Sequence, residues 1–211
     1  MKIKALIPAF NEEKTIGNII DVLNNVSLIN KVIVVDDGSV DNTYQEAKSR
    51  GARVIKLAHN RGKGAALQEG ISNINTDIIL LLDGDLIGLK QEHVYKLLNP
   101  VISDEADMTI GVFKKGRGLT DLAQVVSPGL SGQRAIKLSE LKKVKNLDKE
   151  GFGVEVALNK HFKESGRVKK VELKDLTHVM KEEKLGLVKG VKARTKMYID
   201  ILRSLFLDLI D

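Results

Sequence analysis

The chain has 211 residues, with 34 Lys+Arg against 28 Asp+Glu and a formal net charge of +6. The absence of cysteine excludes a disulfide scaffold, a thiolate metal site and a Cys nucleophile. Five Phe, three Tyr and no Trp argue against a base-stacking nucleic-acid surface. An apolar content of 43% with 29% charged residues fits a folded globular chain, and the length suits one domain. The charge is uneven: residues 1–100 hold 12 basic and 12 acidic side chains, residues 101–211 hold 22 and 16. No apolar run approaches the roughly 18 residues of a membrane span, and the start Met1–Lys4 leads into no signal-peptide core. A cytoplasmic protein is expected.

Read along the chain, Ile3–Ile7 is a buried-strand run that Pro8 should end, followed by a helix over Glu12–Leu23 with Asn11 as its N-cap. Val32–Val35 is a second strand, and Asp41 can cap a helix running to Gly51. Val54–Leu57 is a third strand, Lys63–Ile74 a helix, Ile78–Leu82 a fourth strand and His93–Ile102 a helix despite Pro100. The second half is less regular: strands at Met108–Phe113 and Val168–Leu173, a helix over Gly153–Phe162, a basic glycine-rich loop at Lys114–Gly118, a Lys-rich segment at Lys181–Lys196 and an apolar helix at Met197–Ile210. Strand–helix alternation at this spacing predicts an α/β fold whose sheet is mainly parallel and flanked by helices, with ligands at the carboxyl ends of the strands.

Those ends carry the informative residues. Pro8-Ala9-Phe10-Asn11-Glu12 follows the first strand, Asp36-Asp37-Gly38-Ser39 the second, His59-Asn60-Arg61-Gly62-Lys63-Gly64 the third and Asp83-Gly84-Asp85 the fourth. Polar loops and helix caps explain any one cluster, but explain four on one sheet edge poorly. A P-loop is excluded, because Gly62-Lys63-Gly64 lacks the upstream glycine and the following Ser/Thr. No G-x-G-x-x-G dinucleotide fingerprint follows the first strand. Asp83-x-Asp85 directly after Ile79-Leu80-Leu81-Leu82 suits a hard divalent cation, which can bridge a diphosphate and stabilise its charge as it leaves.

In order, spacing and strand context these motifs resemble the family 2 type of GT-A glycosyltransferases across about the first 90 residues. The resemblance implies a GT-A, Rossmann-like domain over 1–211, with residues 1–100 as the nucleotide-sugar half and 101–211 as the acceptor half. It implies a nucleotide-diphospho-sugar donor, most often a UDP-sugar, and Mg2+ or Mn2+. Pro8, Ala9, Asn11 and Glu12 would frame the nucleoside, and Asp37 would receive the base. Gly62 and Lys63 would lie near the nucleoside or phosphates, Asp83 and Gly84 by the ribose or sugar, and Asp85 would bind the metal.

In the second half, Ser127–Ala135 is a glycine-rich loop with one arginine, whose amides can form an anion nest. Gly151-Phe152-Gly153-Val154-Glu155 places a carboxylate near a helix start, and His178 follows the last strand. Taken singly, each has an ordinary structural explanation. Together they resemble the glucosyl-3-phosphoglycerate synthase group. That likeness assigns Ser131, Gly132 and Arg134 to the acceptor, Glu155 with Arg134 and Asp85 to the reaction centre, and His178 to the metal. Lacking a Glu-Asp base motif in this half (Asp148-Lys149-Glu150 comes nearest), the chain is expected to retain anomeric configuration.

The basic second half favours an anionic acceptor, a phosphorylated acid first. The apolar terminal helix is expected to pack on the domain or in a homodimer. As a membrane-surface helix it would favour a polyprenyl-phosphate acceptor instead, as in dolichyl-phosphate-sugar synthases. A non-catalytic nucleotide-sugar sensor is a further alternative. Nucleic-acid binding, suggested by a pI near 9.3, has no motif to support it.

Overall fold

The structure, a computed structural model, describes residues 1–114, 131–144 and 154–179. The chain divides into two units, Met1–Thr177 and His178–Asp211, and of the second only His178 and Val179 are among the described residues. The expected basic loop at Lys114–Gly118 beyond its first residue, residues 127–130, Asp148–Gly153, the Lys-rich segment and the apolar terminal helix therefore lie outside them.

The described elements, in chain order, are β1 (Ile3–Ala9), α1 (Ile16–Asn24), β2 (Lys31–Asp36), α2 (Thr43–Ser49), β3 (Arg53–Lys56), α3 (Lys63–Ser72), β4 (Ile78–Leu81), β5 (Leu86–Ile87) and α4 (Gln91–Ile102). There follow β6 (Met108–Lys114), β7 (Arg134–Lys137), α5 (Leu138–Leu141), α6 (Val154–Ser165), β8 (Val168–Lys174) and β9 (Thr177–His178). Seven strands form one sheet in the order β3-β2-β1-β4-β7-β6-β8, and β5 pairs with β9. The β3, β2, β1 and β4 pairings are parallel, β7 runs antiparallel to both its neighbours, and β6 pairs with β8 in parallel. The sheet is thus mixed and mainly parallel, as expected.

Continuous apolar runs explain the central strands. All four residues of β4 are buried, and Val32–Asp36 of β2 are too. One core lies between the sheet and α1 and α4, and includes Ile7, Ile20, Val34, Leu80 and Leu97. The other, on the α3 and α6 face, includes Leu6, Val35, Leu67, Ile79, Ile136 and Phe162. Among the described residues no helix is long and apolar enough to cross a membrane.

Three expectations are corrected. The strand does not end at Pro8: β1 runs on to Ala9, with Pro8 registered opposite Val35. The Ile3 and Ala9 carbonyls accept from the β2 side, whereas that of Leu6 accepts from Leu82 on the β4 side. Pro8 shares Leu6's side, and it lacks the N–H that would have met the Leu82 carbonyl, so the pairing with β4 stops at Leu6–Leu81 while the β2 side carries the strand on to Ala9. Asn11 does not cap α1, which begins at Ile16. It sits at φ 57, its amide donates to Ser39 Oγ at 3.0 Å, and its Oδ1 accepts the Val40 N–H at 3.0 Å. Its side chain ties two strand-end loops together instead. Finally, Arg134 is not on a loop but opens the buried strand β7.

The small residues of α3 let it lie close on β1 and β2. A Cβ on Gly70 would fall 2.5 Å from Leu6 Cδ1 and 3.0 Å from Val35 Cγ2. The helix-propensity gain of Gly→Ala, about 1 kcal/mol, is therefore outweighed by overpacking of about 1–3 kcal/mol. Gly70→Ala is expected to lower unfolding free energy in urea, whereas the same change on an exposed helix position raises it.

Candidate functional site

The strand order reverses between β1 and β4, and at that point an open α/β sheet leaves a crevice at its carboxyl edge. The loops after these two strands pack on each other. Thr15 Oγ1 donates to the Gly84 carbonyl at 2.7 Å, and a Cβ on Gly84 would meet Pro8 O and Glu12 Cγ at 3.2 Å and Ala9 Cβ at 3.3 Å. Glycine at 84 is what allows the Asp83–Asp85 turn to sit against Pro8–Glu12. The Glu12 N–H donates to Thr43 Oγ1 at 2.7 Å, and Thr43 N and Oγ1 both donate to Asp41 Oδ1. The β1 loop is thereby fixed to the start of α2.

Asp37 is buried, and its carboxylate grips the turn before α3: Oδ1 accepts the Arg61 N–H and Oδ2 the Gly62 N–H, each at 2.8 Å. Gly62 adopts φ +91 there, a left-handed conformation suited to glycine. Asp37 thus shapes the turn that launches Lys63, a role that sequence reading, which gave it only the base, did not find.

Lys63 opens α3 and bridges two carboxylates. Its Nζ lies 2.6 Å from Asp83 Oδ1 at the end of β4 and 2.5 Å from Glu155 Oε1 in the first turn of α6. Burial opposes the ammonium, but Asp83 and Glu155 outweigh it and hold its pKa above the ordinary lysine value. On its other oxygen Asp83 accepts Gln133 Nε2 at 2.8 Å. Gly132 is pressed against the same carboxylate, because a Cβ there would fall 2.5 Å from both Asp83 oxygens.

Arg134 is completely buried. Its Nε donates to the Ser131 carbonyl at 2.9 Å and its Nη1 to Asn159 Oδ1 of α6 at 2.9 Å. Burial pulls the guanidinium pKa down to about 10, with Glu155 and Asp83 counteracting, so it stays charged at neutral pH. Pro8, Lys63, Asp83, Gly132, Arg134 and Glu155 line one cleft. Asp85 is half-buried in the β4–β5 turn, and His178 ends β9, the partner strand of β5. Among the described residues, Asp83, Asp85 and His178 supply a donor set of two carboxylates and an imidazole, which suits Mn2+ or Mg2+.

Of the expected residues, the structure therefore brings Pro8, Lys63, Asp83, Gly132, Arg134 and Glu155 to one cleft, with Ala9, Glu12 and Gly84 packed behind it. Asn11 and Asp37 act on neighbouring loops. Thr15, Gln133 and Asn159 were missed. No sequence signal marks the first and last. Gln133 stood inside the Leu-Ser-Gly-Gln-Arg segment, but its contact with Asp83 spans 50 residues.

Comparison with known proteins gives this edge a lineage. Residues 5–162 match the family described as "Glycosyl transferase family 2". The chain belongs to that family. It is 29% identical over 194 residues to glucosyl-3-phosphoglycerate synthase of Mycobacterium tuberculosis, an alignment covering 74% of this chain and 59% of that protein. It is 33% identical over 126 residues to UDP-N-acetylglucosamine–dolichyl-phosphate N-acetylglucosaminyltransferase of Methanococcus voltae, covering 50% and 49%. The chain thus spans about half the length of the curated relatives it matches. The crystal structure of the M. tuberculosis synthase with Mn2+, UDP and glucosyl-3-phosphoglycerate superposes with a TM-score of 0.72 at 28% identity, covering 84% of this chain and 72% of that one. The same synthase has also been solved with Mg2+ and UDP.

The contact between Gly132 and Asp83 predicts the effect of one methyl group. Gly132→Ala should displace the Asp83 carboxylate from Lys63 and cost about 1–3 kcal/mol of stability, read as a lower urea midpoint at unchanged m-value.

Proposed function

We propose that the chain is a metal-dependent glycosyltransferase that moves a hexose from a nucleotide-diphospho-sugar, UDP-glucose or a close analogue, to a small anionic acceptor such as a phosphorylated acid. The observation that carries this reading is the convergence of Lys63, Asp83, Arg134 and Glu155 on one cleft at the carboxyl edge of a family 2 sheet. The family match covers residues from both halves, in keeping with a single catalytic domain. The Mn2+, UDP and phosphorylated product held by the 28%-identical synthase support the choice of donor, metal and acceptor class. We place the reaction in the cytoplasm.

In this reading Pro8, Ala9, Asn11 and Glu12 frame the nucleoside, and Asp37 serves the base pocket while holding the Arg61–Gly62 turn. Lys63 turns its ammonium from Asp83 and Glu155 towards the diphosphate. Asp83, Asp85 and His178 hold Mn2+ or Mg2+, which offsets diphosphate charge as it departs. β9 pairs with β5, the strand that starts one residue after Asp85, and this order favours His178 as a ligand. Ser131, Gly132 and Arg134 face the acceptor side, and Arg134 gives it a fixed positive charge.

Glu155 lies 2.5 Å from the Lys63 ammonium until a donor draws the lysine away, and its carboxylate is then placed to orient the sugar or acceptor. The proposal includes retention: the bond from sugar C1 to the diphosphate oxygen breaks, and the acceptor hydroxyl oxygen bonds to C1 on the same face. The hydroxyl proton passes to the departing phosphate oxygen.

A second reading, transfer to a polyprenyl phosphate at a membrane surface, is favoured by the 33% identity to the dolichyl-phosphate enzyme. Sedimentation with anionic liposomes at low salt separates the two, since a small-acid enzyme stays in the supernatant.

The proposal is tested by melting. At 100 times its dissociation constant a ligand stabilises by about 2.7 kcal/mol, which for a chain of this size raises Tm by about 5–10 °C. UDP with Mn2+ should reach that shift, each alone should fall short, and Asp85→Ala should remove the metal-dependent part. No shift with any nucleotide would reject the reading. Mass spectrometry of products from candidate phosphorylated acids then identifies the acceptor, and NMR of the anomeric centre shows retention or refutes it.

A further inference from the structure

Asp83 is held from two sides by donors of different character. Lys63 is at the cleft, with about a third of its side chain exposed (34%), and it is shared with Glu155. Gln133 is fully buried at 0% and reaches Asp83 Oδ2 at 2.8 Å.

The orientation of the Gln133 amide is set twice over. The Gln133 backbone N–H donates to Ser131 Oγ at 3.3 Å, so the serine hydroxyl hydrogen is free to point elsewhere, and it donates to Gln133 Oε1 at 2.7 Å. The amide oxygen is thereby fixed on the serine and the NH2 on Asp83. An ionised carboxylate can only accept, so the reversed amide would set oxygen against oxygen. Gly132, lying between Ser131 and Gln133, leaves room for this because a Cβ would collide with Asp83.

We propose that Gln133 is a positioning residue: it is a fixed anchor that helps keep Asp83 aimed into the cleft when Lys63 leaves it for an anionic donor. The inference rests on the glycosyltransferase reading and names a residue to which that reading gives no role. Lys63 is the exchangeable partner, because a long, partly exposed ammonium can swing to a phosphate. Gln133 is the permanent one, because its side chain is enclosed and its second end is tied to Ser131. Gln133 therefore leaves one donor on Asp83 Oδ2 while Lys63 turns to the diphosphate, and so helps to set the direction in which the carboxylate meets a cation as the site fills.

The test uses the full chain and reads binding rather than turnover. Mn2+ is titrated by calorimetry with and without UDP, for wild type, Gln133→Leu, Gln133→Glu and Ser131→Ala. Gln133→Leu keeps the bulk and removes the donor. A hydrogen bond to a charged group is worth enough to weaken Mn2+-dependent UDP binding on the order of 10-fold. Gln133→Glu sets a second carboxylate against Asp83 and should weaken it further, and Ser131→Ala should fall between wild type and Gln133→Leu. A merely structural glutamine would lower Tm in these variants and leave both titrations unchanged below the transition. That result would overturn the proposal, and if Gln133→Leu does not fold, Ser131→Ala, one bond further from the carboxylate, decides it in the same way. Wild type that binds neither Mn2+ nor UDP would reject the glycosyltransferase reading, and this inference with it. Wild-type binding with indifferent variants rejects only the role of Gln133.

Discussion

One antiparallel strand inserted into a parallel sheet sets the geometry on which the site depends. β4 delivers Asp83 at its carboxyl end, where parallel α/β sheets present their ligands. Because β7 runs the opposite way, its amino end lies beside the carboxyl end of β4, with Arg134 registered opposite Leu81. The two residues before Arg134 then fall against Asp83, so that Gly132 abuts its carboxylate and Gln133 hydrogen-bonds it. A parallel strand in that place would have brought its far end, Lys137, to the same spot. The reversal of direction brings Gln133 to the carboxylate of Asp83, 50 residues away in sequence.

That arrangement commits the sheet to burying charge, and the cost is met locally. Arg134 has no exposed surface, yet its guanidinium finds the Ser131 carbonyl and Asn159. Buried charge is tolerated when paired and hydrogen-bonded, and is costly when one partner is removed. The same bonds have a second effect. Arg134 couples β7 to α6 through Asn159, and Lys63 couples α3 to α6 through Glu155. The carboxylate at the head of α6 is thereby located by two elements distant in sequence. α3, α6, β4 and β7 meet at the cleft through polar contacts, while their apolar faces join one shared core.

How far the sequence made this legible follows the range of the interactions involved. β2 and β4 are buried apolar runs, and their extent and the polar clusters after them could be read from periodicity alone. The loss of an N–H at Pro8 suggested a strand end, and it does stop the pairing with β4 at Leu6–Leu81, but the β2 side needs no donor from residue 8 and carries β1 on to Ala9. Asn11 looked like a cap because Asn is a good one, yet its partners, Ser39 and Val40, come from another loop. β7 escaped notice because Arg-Ala-Ile-Lys lacks the signature of a buried strand, its first residue being charged. Its hydrogen bonds to Ser131 and Asn159 help to make that position habitable. Asp37 and Gln133 show the same limit from the side of the site: an acceptor and an amide can be named from sequence, but not the amides or carboxylate they hold.

The charge asymmetry between the halves is also recast. Much of the second half's described basicity is already neutralised at home: Lys137 and Arg167 pair with Asp104 and Asp107, Lys169 with Glu105 and Lys143 with Glu140. Such pairs at or near the surface contribute little individually and say nothing of an acceptor. What bears on an anionic substrate is the balance inside the site. Asp83, Asp85 and Glu155 oppose Lys63 and Arg134, which leaves a single negative charge in excess and disfavours a diphosphate. A divalent cation on the aspartates reverses that sign. Under the proposed reading, metal and nucleotide should therefore favour each other's binding. A buried amide that keeps Asp83 in place through that reversal then has a use that surface lysines, however numerous, could not supply.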